Sequence, residues 1–355
     1  ILFIIILNNF IFSNSFSNDQ LNFDVTEIEI LDGGNKIKGK KRGTITTNNG
    51  FIINADEFEY NNINNILSAT GNIKIEDTLN DYSISSENVT YFKNSEKIEI
   101  NGKSNSLIYS KYNFKTEDII ILRDQLIIKS DKAATIIDEK NQTLYEISKF
   151  SYSLKDEILK GEKIFINTKF NQPFSDKYFF KSAIFNLKDQ SYIAQDIDKN
   201  FKKDIFGNKN NDPRFKGISS SSKNGITTIN KGIFTSCKKN DNCPPWSIKA
   251  EKIKHNKSRK QLIYDNAILQ IYDVPVVYFP KFFHPDPTVK RQSGILKPIL
   301  NESYILGSSL KIPYYKVLSA DKDLTISPNI FEKDIIMIEN EFRQKTSNSN
   351  LLANY

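Results

Sequence analysis

Long apolar runs, cysteine, histidine and arginine are all scarce in this 355-residue chain. No stretch of eighteen consecutive apolar residues occurs, which excludes an ordinary membrane-spanning helix from the sequence. Two cysteines and two histidines are too few for a cysteine-rich zinc scaffold or a histidine-rich metal site. No nucleophile-elbow, zincin, P-loop or dinucleotide-binding motif occurs. We therefore predict a protein that is not an enzyme and has no catalytic residue, metal ion or cofactor.

Aromatic and charged residues are plentiful, at 12% and 26% of the chain. That composition is too aromatic for a disordered protein and predicts folded domains. The formal net charge is +7, and only six of the 49 basic residues are arginine. A basic balance permits anionic partners such as phosphorylated lipid, but solvation of the surface by lysine is the favoured interpretation. We expect no nucleic-acid partner.

The first residues are typical of an export signal. Residues 1–12 read ILFIIILNNFIF, and a Ser/Asn-rich tract follows with serines at 13, 15 and 17. This pattern predicts the back half of a signal peptide over residues 1–17, with its basic front and initiator methionine upstream. Export would place the chain in an oxidising compartment, where Cys237 and Cys243 could form a local disulfide or pair with distant cysteines.

Residues 18–200 are dominated by short isoleucine-rich runs bounded by Asn, Asp, Gly or Ser, which predict β-strands separated by turns. If the strands curl into a roll, alternate side chains line an apolar interior that could hold acyl chains. A closed apolar core without a ligand produces the same alternation, and composition alone favours that simpler case. The tentative lipid-contacting residues are six isoleucines in the alternating runs: Ile73, Ile75, Ile98, Ile100, Ile164 and Ile166.

A weak repeat runs through the same region. Acidic residues followed by a β run occur at 55–58, 86–89 and 116–119, with starts 31 and 30 residues apart. Gly71 and Gly102, also 31 residues apart, are interpreted as turns between them. A fixed period of β segments predicts an elongated, curved stack of antiparallel strands with almost no helix.

The order of motifs between residues 201 and 298 provides a family resemblance. The motifs are Cys237, Trp246, the Val-Pro-Val-Val-Tyr run at 274–278, Pro285-Asp286, Arg291-x-Ser293-Gly294 and Pro298. In this order they resemble the LptD family of outer-membrane lipopolysaccharide-assembly proteins, also called the organic-solvent-tolerance or OstA family. The repeats before them resemble the OstA-type β domain that this family shares with periplasmic carriers. The resemblance covers residues from about 30 to 355, but the C-terminal cysteines of the family are not in this sequence.

The resemblance implies an all-β fold in four segments: the signal remnant at 1–17, a periplasmic OstA-like β-roll (jellyroll) at 18–200, the end of the roll and connection at 201–290, and the first strands of an outer-membrane β-barrel at 291–355. It also implies lipopolysaccharide as the transported lipid, an OstA-type bridge protein that joins by β-strand addition, and a lipoprotein plug. One of the two cysteines would pair with a distant cysteine. The implied location is the outer membrane, with the N-terminal domain in the periplasm.

The last segment alternates in polarity over residues 304–314, 324–330 and 336–342. Apolar-outward, polar-inward alternation is the barrel pattern, although a soluble sandwich shows it too. The 65 residues after position 290 suffice for four or five strands, so the sequence predicts an incomplete barrel that continues beyond Tyr355.

Pro298 and Pro313 lie fifteen residues apart in the first two predicted barrel strands. A mid-strand proline removes a ladder hydrogen bond and weakens pairing. The two positions match the gate prolines of the family, which implies a lateral gate for lipid release. A turn position stays open for Pro298.

Two other functions fit part of the pattern. A soluble periplasmic lipopolysaccharide carrier or scaffold would have a similar β-roll without the barrel. A β-solenoid carbohydrate enzyme is disfavoured because no clustered acidic site is visible in the sequence.

Overall fold

The computed structural model describes residues 21–172, 175–201, 212–238, 244–285, 289, 291–332 and 335–355. The predicted signal remnant at 1–17 and Cys243 lie outside these ranges. In the described residues there is no α-helix; two single-turn 3-10 segments occur, at Asp32–Gly34 and Lys93–Ser95. The all-β prediction is confirmed. Within the same residues, no helix is long and apolar enough to cross a membrane.

The strands form two antiparallel sheets. The first sheet contains β1 (Leu21–Leu31), β2 (Lys36–Thr47), β3 (Phe51–Ala55), β4 (Glu57–Asn61), β5 (Ile66–Asp77), β6 (Tyr82–Phe92), β7 (Lys97–Ile108), β8 (Tyr112–Leu122), β9 (Ile127–Ser130), β10 (Ala134–Asp138), β11 (Thr143–Ile147), β12 (Lys149–Ser153), β13 (Ile158–Thr168), β14 (Asp176–Asn186), β15 (Ser191–Asn200), β16 (Arg214–Lys223), β17 (Ile226–Thr235), β18 (Trp246–Asn256), β19 (Gln261–Ile271) and β20 (Val274–Pro285). The second contains β21 (Gly294–Ile295), β22 (Ile299–Ser303), β23 (Gly307–Lys311), β24 (Tyr314–Ser319), β25 (Lys322–Phe331), β26 (Ile336–Lys345) and β27 (Asn350–Asn354).

The chain divides into two compact units. One comprises Ile1–Lys254 and Ile263–Phe282, and the other His255–Leu262 and Phe283–Tyr355. In the first unit long strands such as β6, β7 and β14 pair with the strand before them, as in a meander, and β15 pairs with β16 across position 200. The short strands β4, β10 and β12 instead pair with β2, β8 and β9. The four-segment division of the sequence stays a prediction.

Most long strands of the first unit bend near their middle. The register shifts between Thr70 and Ile73 in β5, between Ser85 and Asn88 in β6, and between Ile100 and Lys103 in β7. Elsewhere the bend breaks the strand, and β3 and β4 both pair with β5 on either side of Asp56. Bulges of this kind bend a strand and increase its twist. Each bend or break divides the chain between two successive hairpin turns into two halves.

The strand halves form two wings, which we define by their hairpin turns. The first wing ends at turns 48–50, 78–81, 109–111 and 139–142, and the second at turns 32–35, 62–65, 93–96, 123–126 and 154–157. The turns of each wing recur every 30 or 31 residues, because two strands return the chain to the same side. This spacing is the physical origin of the sequence repeat.

The first acidic residues of the repeat precede a strand as expected, because β4 begins at Glu57. The later two lie at bends inside strands, which corrects the sequence interpretation there. Glu87 and Asp118 are inside β6 and β8, and the glycines at 71 and 102 are inside β5 and β7. The Asp118 carboxylate accepts a hydrogen bond from the Gly102 amide at 2.8 Å, and Glu87 accepts one from the Asn72 amide at 3.3 Å. Acidic side chains thus satisfy the amides that the bulges remove from the ladder.

Candidate functional site

The six selected isoleucines all point into the interior between the wings. Each is at most 6% exposed, and neighbours on the strand such as Lys74 face solvent. Ile73, Ile75, Ile164 and Ile166 lie in the first wing, and Ile98 and Ile100 in the second. The alternation therefore predicted their direction. Their contact with lipid stays a prediction.

Aromatic pairs fill the interior and join the two wings. The ring centroids of Phe51 and Tyr91, one from each wing, are 5.6 Å apart. Equivalent pairs recur along the roll, at 5.5 Å for Phe114 with Phe150 and 5.2 Å for Phe180 with Tyr192. Aromatic contacts of this kind add about 0.5–1.5 kcal/mol each beyond the burial of their surface. An acyl chain would therefore have to separate these rings to enter.

The side chain of Arg123 connects the tips of the two wings. We call the cluster of residues around it the clasp: Arg123, Asp77, Glu96, Asn49 and Phe51. From a turn of the second wing, its side chain donates to Glu96 at 2.5 Å and reaches Asn49 in a first-wing turn at 3.3 Å. The guanidinium lies 3.7 Å from the carboxylate of Asp77 and 4.3 Å from the ring centre of Phe51. Arg123 and Asp77 are 7% and 1% exposed at their side chains. This cluster is buried, charged and shared between both wings.

The tyrosines of the interior resist ionisation because they are buried. Burial raises the pKa of Tyr82 and Tyr91 far above the ordinary value, and the Asp77 and Glu96 carboxylates raise it further. Burial also raises the pKa of Tyr192, to about 12. The charged form of each phenol is disfavoured in the apolar interior.

A surface groove follows the bends on the solvent side of the first unit. Its volume is about 950 Å³, and its rim includes Lys74, Lys103, Lys115 and Lys132 with Glu87 and Glu117. Most of these side chains are exposed, whereas the six isoleucines, apart from Ile73, do not contribute to the groove. The groove is open, and the charged side chains lie at its rim.

The second unit has the opposite distribution of polarity. On β25 the polar residues Asp323, Ser327 and Asn329 are buried, whereas the apolar Ile330 is 47% exposed. The row of paired residues Leu300, Leu310, Ile330 and Ile336 crosses four strands on the same exposed face. A soluble sheet usually hides its apolar face, so the second sheet presents an exposed apolar surface of the kind at which proteins contact a membrane or another protein.

An ion-pair cluster organises the polar face of the second unit. The Asp323 carboxylate accepts hydrogen bonds from Arg291, from Arg343 at 2.7 Å and from the Tyr315 hydroxyl at 3.1 Å. Arg291 also donates to the Ala320 carbonyl at 2.7 Å. The cluster fixes the segment before β21 onto the hairpin of β24 and β25. Arg291 is part of a sequence motif, but no sequence pattern predicts its hydrogen-bond partners.

Both predicted gate prolines lie at interruptions of the second sheet. Pro298 is in the gap at 296–298 between β21 and β22, and Pro313 follows Ile312 in the gap between β23 and β24. Apart from the hydrogen bond from the Leu296 amide to the Pro313 carbonyl, at 2.8 Å, these gaps lie outside the ladder of the first two strands. Their role as a gate stays a prediction.

Cys237 has a free thiol and is half-buried beside Trp246, whose carbonyl lies 3.6 Å from the sulfur. Its predicted disulfide partner stays open, as Cys243 is outside the described residues. In the part of the chain that the structure describes, no group of three His, Cys, Asp or Glu side chains is placed to hold a metal ion.

Together, these features define an all-β protein with a two-winged roll and a second sheet whose apolar face is exposed. No family model matches the chain. It is similar to "LPS-assembly protein LptD" of Legionella pneumophila strain Lens, with 36% identity over 121 residues, 34% of this chain and 14% of that protein. The protein of the same name from Pseudomonas aeruginosa strain UCBPP-PA14 is 33% identical over 133 residues, 38% of this chain and 14% of that protein.

The matches span about one seventh of the length of these curated relatives. A further relative of the same name, from Polaromonas sp., is 31% identical over 132 residues. The resemblance seen in the sequence motifs is confirmed: over about a third of its length the chain is similar to proteins of the LptD family.

Proposed function

We propose that the chain is part of a machine that carries lipopolysaccharide to the outer leaflet of the outer membrane. The observation that carries this proposal is the inverted second unit, in which Ser309, Ser327 and Asn329 are buried and the apolar row faces outward. Such a surface suits a barrel wall in a bilayer and does not suit a soluble carrier. The names of the relatives support the choice of lipid.

The roll receives acyl chains between its wings. The six buried isoleucines and the aromatic pairs supply an interior of the required apolar character. Since these groups are in contact, lipid enters as the wings part and the clasp releases. The periplasm is the natural place for this unit, because its outer surface carries exposed lysines and acidic residues on alternate positions of many strands.

The N-terminal edge of the roll is the proposed site of the bridge protein. In the described residues β1 pairs only with β2, so its other edge offers free backbone groups to an added strand. Strand addition there would extend the two-winged interior from one protein to the next. The lipoprotein plug of the barrel is a further proposed partner, supported by the family resemblance alone.

Release occurs at the interrupted strands of the second unit. Proline has no amide hydrogen, so Pro298 and Pro313 cannot contribute donors to the ladder. In lipid an unmade backbone hydrogen bond has no water to replace it, which makes a proline-rich edge a weak point of the wall. The chain acts by binding and guiding lipid, and the proposal assigns it no catalytic step.

Photo-crosslinking in the full-length protein tests the route. A photoreactive amino acid at Ile75 or Ile100 faces the interior, and at the adjacent Lys74 or Glu99 it faces outward or sits at the surface. We expect lipopolysaccharide to be captured from the two interior positions only. Equal capture at all four positions would indicate association with the surface, and capture at none would reject the roll as the route.

A further inference from the structure

A third proline, on the neighbouring strand, follows the two predicted gate prolines at the same spacing. Pro328 lies on β25, fifteen residues after Pro313, which is itself fifteen residues after Pro298. The register of β23 and β24 against β25 pairs Lys311 with Asn329 and Tyr314 with Ile326. Ile312 therefore lies opposite Pro328, in the gap where β23 ends and β24 has not begun.

The backbone contacts of Pro328 repeat those of Pro313. The amide of Leu296 donates to the Pro313 carbonyl at 2.8 Å, and the amide of Ile312 donates to the Pro328 carbonyl at 3.0 Å. In an antiparallel ladder, two residues that face each other in this way exchange two hydrogen bonds. Here the second bond of each pair cannot form, because the residue that should donate it is proline.

In the second sheet β21 and β22 form the first of three neighbouring strands, β23 and β24 the second, and β25 the third. The second of these is weakened along both edges at the same level. Pro313 removes a donor toward the first strand, and Pro328 removes the donor that Ile312 would accept from the third strand. On its other side Pro328 faces Ile338 of β26 as part of an uninterrupted register. The missing donor of Pro328 is thus directed at the second strand.

We propose that Pro328 is a positioning residue of the lateral gate and that the flexible part of the gate extends to the boundary between the second and third strands. With one bond missing on each edge, the segment at 312–313 can bend, and the first two strands move together. This inference rests on the proposed function, since it takes the gate at Pro298 and Pro313 as given and adds its inner hinge.

The test uses the full-length protein in the outer membrane and the variant Pro328→Ala. The new amide can donate to the Ile312 carbonyl and complete the pair. We expect the Ile312 amide to exchange with deuterium more slowly by roughly two- to tenfold, as one added net backbone hydrogen bond predicts. We also expect normal amounts of folded protein with reduced export of lipopolysaccharide. Pro275→Ala, in the exposed part of β20, is the matched control and should change neither measurement.

The outcomes separate this inference from the proposed function. Slower exchange at Ile312 with normal export would overturn the inference, provided that Pro298→Ala/Pro313→Ala still reduces export. If that double variant also exports normally, the gate itself is refuted. Unchanged exchange at Ile312 would remove the structural basis of the hinge. Pro328→Gly restores the same donor, so loss of folded protein in both the Ala and the Gly variant would assign Pro328 a structural role and overturn the inference.

Discussion

Arg123 shows how one buried charge can hold two parts of a sheet together. Its guanidinium meets carboxylates from both wings, Asp77 and Glu96, and lies over the ring of Phe51. A buried ion pair adds little stability compared with a well-packed apolar pair, but the loss of one partner leaves the other charged and unpaired. The clasp is therefore sensitive to single substitutions in a way that the neighbouring aromatic contacts are not.

Arg123→Met should destabilise the wing tips by about 3 kcal/mol, because Asp77 would stay buried without its cation. That loss corresponds to amide exchange in β3 and β8 that is faster by roughly 100-fold, measured by hydrogen–deuterium exchange of the purified protein.

Arg123→Lys keeps the charge and serves as the control, with a smaller loss. The double variant Arg123→Met/Asp77→Asn should recover part of the stability, since it removes both charges. Equal losses in the single and double variants would contradict a charge-dependent clasp.

The bends separate the strand halves that form the two wings, and glycine has a specific role at one of these bends. Gly102 has φ +86° within β7, and a Cβ atom placed there would meet no atom within 4 Å. A side chain at this position would therefore cost backbone strain alone. The left-handed region costs a residue with a Cβ atom roughly 1–2 kcal/mol.

Gly102→Ala should accordingly weaken the bend by about 1 kcal/mol and accelerate amide exchange in β6, β7 and β8. The matched control is Gly294→Ala, because Gly294 also has free space for a Cβ atom but no positive φ. The control should leave the exchange of β21 and β24 almost unchanged. A similar effect of both substitutions would mean that the loss of glycine, and not the bend conformation, causes the change.

The same elements show which features a sequence can predict. Alternation correctly gave the inward direction of Ile75 and Ile100, because a period of two fixes the face of a strand. It could not distinguish a bend from a strand start at Glu87, since acidic residues favour both. Alternation over 304–314 suggested one strand, but Ser303 and Gly307 close a hairpin within it. Gly307 has φ +77°, a conformation that the sequence pattern does not reveal.

The contacts of Arg123 and Asp323 depend on strands far apart in the chain, and no local pattern predicts them. Pro328 is different. Its fifteen-residue spacing from Pro313 was visible in the sequence, and only the register of β25 gave that spacing a meaning.

At the scale of the whole chain, the buried tyrosines predict an instability at high pH. Burial raises the pKa of ten tyrosines in the described residues: Tyr60, Tyr82, Tyr91, Tyr109, Tyr112, Tyr145, Tyr152, Tyr178, Tyr192 and Tyr264. In the unfolded chain tyrosine ionises near pH ~10. Above that pH the unfolded state binds fewer protons than the folded state, so the free energy of unfolding falls as pH rises.

The stability of the first unit should thus be fully present below about pH 10 and decline above it, continuing through the Tyr192 pKa of about 12. Urea unfolding between pH 8 and 12, monitored by circular dichroism, measures the decline. Phenolate absorbance should rise together with unfolding. A rise that is complete before the circular dichroism changes would show that the tyrosines are accessible in the folded state.

Lipid binding should open the roll at its tips and leave the bends intact. The tips are held by the clasp and by the hydroxyl of Tyr109, which donates to the Leu154 carbonyl in a turn of the other wing. An acyl chain that enters between Phe51 and Tyr91 must break these contacts, whereas the bends are stabilised locally by bonds such as Asp118 to Gly102. Lipopolysaccharide added to the full-length protein should therefore accelerate deuterium exchange in turns 48–50 and 123–126 and leave the Gly102 amide protected.

Arg123→Met provides the internal comparison for this prediction. Its tips already lack the clasp, so lipid should change their exchange less than in the unmodified protein, and photo-crosslinking at Ile75 should require less lipid. Slower exchange at the tips on lipid addition would mean that lipid binds across closed wings, on the outside of the roll. Faster exchange at Gly102 would mean that the sheet unbends, in which case the two wings do not move as units and the clasp does not control access to the interior.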